Sequence, residues 1–134
     1  METALTITTC ELPEVLPVLA RIGRPKYDTS GGLATVQDVC KAAQIFKVEQ
    51  GGHLVGAYAL ETLEFDRGVC VWVSAGAGML EGVDLASTMA GVVETQARAI
   101  GAQQVGMITK RRGLIKKLAA QGWTVAGVKM VKKI

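Results

Sequence analysis

The chain has 134 residues, 49% of them hydrophobic and 20% charged. That is one domain's worth of chain with apolar residues for a single core, and it is too apolar for a disordered segment. The net charge of +3 is unevenly placed: residues 1–94 hold all 12 acidic residues against 6 Lys/Arg, a net of −6, whereas residues 95–134 hold 9 Lys/Arg and no acid.

Ala4–Cys10 alternates Leu5, Ile7 and Thr9 with smaller polar residues and reads as a short strand. Glu11–Arg21 places Leu12, Val15, Leu16 and Leu19 on one helical face, with Pro13 tolerable in a first turn and Pro17 expected to split or kink the helix. Gly23 to Gly32 is a polar loop. Thr35–Ala43 carries Val36, Val39, Cys40 and Ala43 at helical spacing, with Thr35 as N-cap. A meander follows: strand Gln44–Gln50, a Gly51-Gly52 turn, strand His53–Phe65, an Asp66-Arg67-Gly68 turn, and strand Val69–Val73. The last of these is apolar on both faces, which puts it inside a sheet rather than at its edge. A Gly-rich loop, Ser74–Gly82, leads into a long helix. Asp84 caps it, Leu85, Met89, Val92, Val93, Ala97 and Ile100 form its apolar stripe, and Gly101 ends it. Strand Gln104–Thr109, a basic helix Arg111–Gln121 stopped by Gly122, and a final strand Trp123–Lys132 complete the chain. The order is β-α-α-β-β-β-α-β-α-β.

Several classes are excluded on this evidence. Cys10, Cys40 and Cys70 are odd in number, far apart and without CxxC spacing, so they read as small buried apolar residues in a reducing compartment. No apolar run approaches the roughly 20 residues of a membrane span. Residues 1–20 contain Glu2, Glu11 and Glu14 and no basic leader region, so no secretory signal is expected and the protein is expected in the cytoplasm. His53 is the only histidine and starts a strand after a turn, with no second ligand type to make a metal site. Six aromatic residues form no ladder for stacking bases, so sequence-specific nucleic-acid binding is not expected. The basic final third is expected to meet an anionic ligand, an acidic protein partner or the acidic portion of another copy. Within it, Lys110, Arg111 and Arg112 sit where a strand ends and a helix begins, so side chains and helix N–H groups together suit an anion.

The element order, with a Gly-rich stretch between a fully apolar strand and a long helix, resembles the GNAT-type N-acetyltransferase superfamily over nearly the whole chain. The segment Arg112–Trp123 is similar to that family's last helix and its Gly-Phe exit, with Trp123 in the aromatic place. More narrowly, Lys110-Arg111-Arg112-Gly113 and Val128-Lys129-Met130-Val131-Lys132-Lys133 are similar to small GNAT-like proteins of phages and prophages. The resemblance implies one α/β (α+β) domain spanning residues 1–134. Its sheet would be mixed, mostly antiparallel and six- to seven-stranded, flanked by about four helices. Val69–Val73 would diverge from Gln104–Thr109 to leave a V-shaped opening. It further implies acetyl-CoA as cofactor and no metal. Trp72 and the window Val73-Ser74-Ala75-Gly76-Ala77-Gly78 would hold the pantetheine and pyrophosphate through backbone groups, and Lys110, Arg111 and Arg112 a phosphate.

The sequence departs from the family pattern at two places. Val73 stands where the loop's leading Gln/Arg belongs, with only the acids Glu81 and Asp84 nearby; Leu118 stands where a tyrosine acid is usual. Tyr27 and Tyr58 lie elsewhere in the chain, and Glu61 or Glu64 is a candidate base. Two readings therefore stand open: an acyl-CoA-dependent N-acetyltransferase of unassigned acceptor amine, and a catalytically degenerate GNAT-fold structural or binding protein of a phage or prophage, in the host cytoplasm or the virion.

Overall fold

The computed structural model describes residues 4–78 and 85–134, with nothing described of the side chains of residues 85–87. The elements in chain order are β1 (Leu5–Cys10), α1 (Leu12–Leu19) with a 3₁₀ turn at Ala20–Gly23, α2 (Val36–Cys40), β2 (Gln44–Gln50), β3 (His53–Phe65), β4 (Gly68–Gly78), α3 (Leu85–Ala99), β5 (Gln104–Met107) and α4 (Arg112–Ala120). The five strands form one mixed sheet in the order β1-β2-β3-β4-β5, antiparallel except for the parallel pair β4–β5. The parallel pair needs a crossover, which α3 provides.

The two hairpins follow directly from their turn residues. Gly51 and Gly52 both take positive φ, 59° and 80°, and join Gln50 to His53 with two residues. That backbone matches the twist of the flanking strands, and only glycine takes it at no steric cost. Thr35 caps α2 in a reciprocal box: its hydroxyl accepts from Asp38 N–H at 3.2 Å while the Asp38 carboxylate accepts from Thr35 N–H at 2.9 Å. Gly101 and Gly122, at φ 77° and 92°, stop α3 and α4.

The sheet is packed on both faces. On one, Val15, Val18 and Leu19 of α1 and Cys40 of α2 bury against Ile45, Ala57, Ala59 and Ala75. On the other, Val93 and Ala97 of α3 bury against Val48, Val55, Tyr58 and Val71. Alternation along β4 is broken once. Leu60 pairs with Val73 and Ala59 with Ala75, so Ser74 is an extra, bulged residue. Val71 and Val73 therefore pack toward α3, whereas Ala75 and Ala77 pack toward α1.

The structure corrects the sequence reading at five points. Ser74–Gly78 is strand rather than loop, because it keeps its ladder with Gly56–Ala59 of β3. Among the described residues the sheet has five strands rather than six or seven. Residues 123–134 form no strand, since a β-rich composition makes a strand only where a partner completes the ladder. Helix α1 runs through Pro17 without a break, and Ile100, expected in the α3 stripe, is 58% exposed. The expected roles of Glu81, Gly82 and Asp84 fall outside the described residues. Cys40 and Cys70 are buried and unpaired, and burial pushes their thiols up, as small apolar core residues rather than nucleophiles.

Candidate functional site

Strands β4 and β5 pair only over Cys70–Val73 and Gln104–Met107. Beyond Val73 and Met107 the pairing stops, while β4 continues to Gly78 along β3 alone. The two strands thus part at the bulge, beyond the stretch Val69–Val73 that was expected to diverge and that is instead paired with β5, and the gap between them is a cavity of about 370 Å³. Its floor is Val73 through Gly78 together with Tyr58, one wall is Met89, Ala90 and Val93 of α3, and the other is Met107, Ile108, Thr109, Leu114 and Leu118.

Ala75 and Ala77 turn toward α1, so the alternate positions on the cavity side are Gly76 and Gly78, which have no side chains. A Cβ at Gly76 would meet nothing closer than the Tyr58 Cβ at 3.8 Å, so the floor is open rather than plugged. Among the described residues, the β4 edge that faces away from β3 has no strand partner from Ser74 on, so its main-chain groups suit an extended ligand.

The α1–α2 connection returns to the mouth of this cleft. Arg21 Nη1 donates to the Gly78 carbonyl at 2.7 Å. Tyr27 lines the cavity with the Arg111 guanidinium over its ring, 5.0 Å from the centroid, and the Lys26 ammonium 5.6 Å away. Asp28 shapes the next turn, accepting from Ser30 N–H, Ser30 Oγ–H and Gly32 N–H at 3.0, 2.7 and 2.7 Å. The Ser30 hydroxyl, then the two amides, then Lys110 hold its carboxyl below the ordinary value of 3.8. A lowered carboxyl supports the turn above that ordinary value and loses its support as pH falls through the lower folded value. The Ser30 and Gly32 amide resonances should accordingly titrate with a midpoint below 3.8 and be flat through neutral pH; a midpoint above 3.8 would show the three bonds absent in solution.

Lys26, Lys110, Arg111, Arg112 and Lys117 surround a second cavity, also about 370 Å³, at the start of α4. Arg111 lines both cavities. The ion pairs of Lys47 with Glu14 and Glu49 lie on the far side of the sheet order from this cluster.

Of the residues singled out by sequence, Val73–Gly78 and Arg111 line the main cleft, and Lys110, Arg111 and Arg112 line the basic cavity. Trp72 does not line the cleft. It packs under β5, where a Cβ on Gly106 would come within 3.1 Å of its ring. Glu61 stands beside the bulge, its carboxylate accepting from Ser74 Oγ–H at 3.4 Å, while Glu64 is exposed further along β3. Leu118 and Trp123 both line the cleft, and the Trp123 indole N–H is buried without a partner. Tyr58 donates its hydroxyl to Gln96 at 3.0 Å; burial pushes its phenol up, and the bond to Gln96 offsets part of that. Arg21, Lys26 and Tyr27 were missed by sequence reasoning, because only the tertiary return of their loop brings them here. Among the described residues no group of three or more His, Cys, Asp or Glu could hold a metal ion, and no helix is long and apolar enough to cross a membrane.

No protein-family model and no curated protein matches the chain in sequence. Solved structures do match along the whole length. A ribosomal-protein-alanine N-acetyltransferase from Brucella melitensis biovar Abortus 2308 superposes with a TM-score of 0.69 at 19% identity, covering 98% of this chain and 99% of that one. A putative acetyl transferase from Pyrococcus furiosus gives 0.74 at 13%, covering 98% and 100%. An aminoglycoside N-acetyltransferase in complex with CoA gives 0.64 at 13%, covering 99% and 97%. Likeness at such identities speaks for the fold, and the chain has the mixed α/β fold of the GNAT-type acetyltransferases.

Proposed function

We infer that this chain is an acyl-CoA-dependent N-acetyltransferase whose thioester lies along the free half of β4. The observation that supports this most is the parting of β4 from β5 at the Ser74 bulge, with a floor opened by Gly76 and Gly78 beyond it. The fit is favourable: a slender amide-bearing arm suits free backbone groups on Val73–Gly78, and phosphate oxygens suit the cavity of Lys110, Arg111 and Arg112. Bound acetyl-CoA supplies an acetyl carbon activated as a thioester.

The chain's own groups divide the remaining work. A main-chain N–H released from the ladder by the bulge polarises the acyl oxygen. The Ser74 hydroxyl, already donating to Glu61, takes the proton of the attacking amine and passes its own to that carboxylate. Tyr27 gives a proton to the departing sulfur. Leu118 has none to give, and the Tyr58 hydroxyl is committed to Gln96.

Isothermal titration with acetyl-CoA tests the binding. Heat is expected, and replacing Lys110, Arg111 and Arg112 together by Ala should weaken the affinity at least tenfold, with the loss shrinking as salt is raised. No heat at millimolar acetyl-CoA would overturn the reading. It would favour the second one, a GNAT-fold structural or binding protein of a phage or prophage, which the apolar Leu118 at the acid position supports.

A further inference from the structure

We propose that the inner end of the cleft is an acyl-chain pocket, and that the group carried on coenzyme A is a linear aliphatic acyl group longer than acetyl. The inference rests on the acyltransferase reading, in which a thioester lies along the free half of β4. The cavity does not stop at the parted strands. It continues between α3 and the sheet as far as Val48 of β2, two strands from β4. At about 4.8 Å between neighbouring strands, that reach is roughly 10 Å, and an acetyl methyl occupies little of it. Val48, Tyr58, Ala90, Val93 and Leu118 line the inner end and are each at most 4% exposed, so it extends into the core rather than along the surface.

The chemistry of this inner end is that of hydrocarbon. Four of the five side chains are aliphatic. The fifth, Tyr58, gives its hydroxyl to Gln96 at 3.0 Å and stacks its ring on Phe46 at 5.0 Å. The main chain of Val48 and Tyr58 belongs to the strand ladders. A water molecule needs polar partners that these walls do not offer, whereas a methylene chain needs none. Met89 and Met107 also line the cavity, and their unbranched thioethers adapt to chains of differing shape. The transfer itself is unchanged by the longer group. Ser74 and Glu61 take the amine's proton as its nitrogen bonds the acyl carbon, and Tyr27 protonates the sulfur as the carbon–sulfur bond breaks with its electron pair on sulfur.

Isothermal titration of the full chain with acetyl-CoA and with octanoyl-CoA tests the pocket. Octanoyl-CoA should bind at least tenfold tighter, since its extra methylenes leave water for an apolar cavity. Methyl NMR of the methionines supplies the location without altering the chain. Octanoyl-CoA should move the Met89 and Met107 methyl resonances well beyond their shifts with acetyl-CoA, and leave that of Met130, 89% exposed, in place. Ala90→Leu narrows the pocket from the α3 side and should cut the octanoyl preference below threefold, with circular dichroism checking the fold. Acetyl-CoA binding as tightly as octanoyl-CoA would overturn the pocket and leave the cofactor reading standing. An octanoyl preference with Met89 and Met107 unmoved, or one kept in a folded Ala90→Leu chain, would do the same. No heat from either thioester would overturn both.

Discussion

Tyr27→Phe should slow release of free thiol from acetyl-CoA by about 10²- to 10⁴-fold in kcat, with acetyl-CoA affinity changed less than threefold. The magnitude is that of one well-placed proton donor. The split follows from geometry. Phenylalanine keeps the ring that sits beneath Arg111 and beside Lys26, and with it the cleft wall; it removes only the hydroxyl. Arg111→Ala makes the complementary change, weakening binding while leaving the hydroxyl. An unchanged kcat with intact binding would show that the sulfur leaves without help from Tyr27, whereas loss of binding would point to the ring and not the hydroxyl.

Leu19→Ala should cost about 2–5 kcal/mol of folding stability, the range for truncating a fully buried leucine. Leu19 is 0% exposed and sits with Val15 and Val18 on the α1 face of the sheet, against Ala57, Ala59 and Ala75. Those three alanines are short and held by strand pairing, so they have little length with which to fill a void. The cost belongs in the upper half of the range for that reason. Leu33→Ala, at a position 89% exposed, should stay within about 0.5 kcal/mol and serves as the control. Urea unfolding of the two variants checks this, and a loss below 1 kcal/mol at Leu19 would mean that the helix relaxes into the gap.

The middle of the fold was legible because its punctuation is local. The ends of β2 and β3 agree with the sequence reading to the residue, as Gly51-Gly52 fixes one hairpin and Asp66-Arg67-Gly68 the other. The second half of β4 was not legible. Ser74-Ala75-Gly76-Ala77-Gly78 is short of β-branched residues and reads as a loop, and it is a strand because Gly56–Ala59 of β3 gives it a ladder. The final segment fails the other way: Trp123–Lys132 has strand composition and no strand beside it. At the site, Gly76 and Gly78 lie in strand β4 and line the cleft floor, where the sequence reading placed a loop. Tyr27, Lys26 and Arg21 left no local trace, since what places them is the course of the α1–α2 connection and a bond from Arg21 to a carbonyl 57 residues away.

The free half of β4 also bears on how such a chain ages. A surface that meets its ligand through main-chain groups stores its recognition in geometry, and every amino acid but proline has the same main chain to offer. Between Ser74 and Gly78 the demand on each letter is smallness, so alanine, glycine and serine can trade places while the cleft stays open. Lineages that share this device can diverge at the very residues that line the cleft. Their kinship then survives as a shape long after it has faded as a spelling.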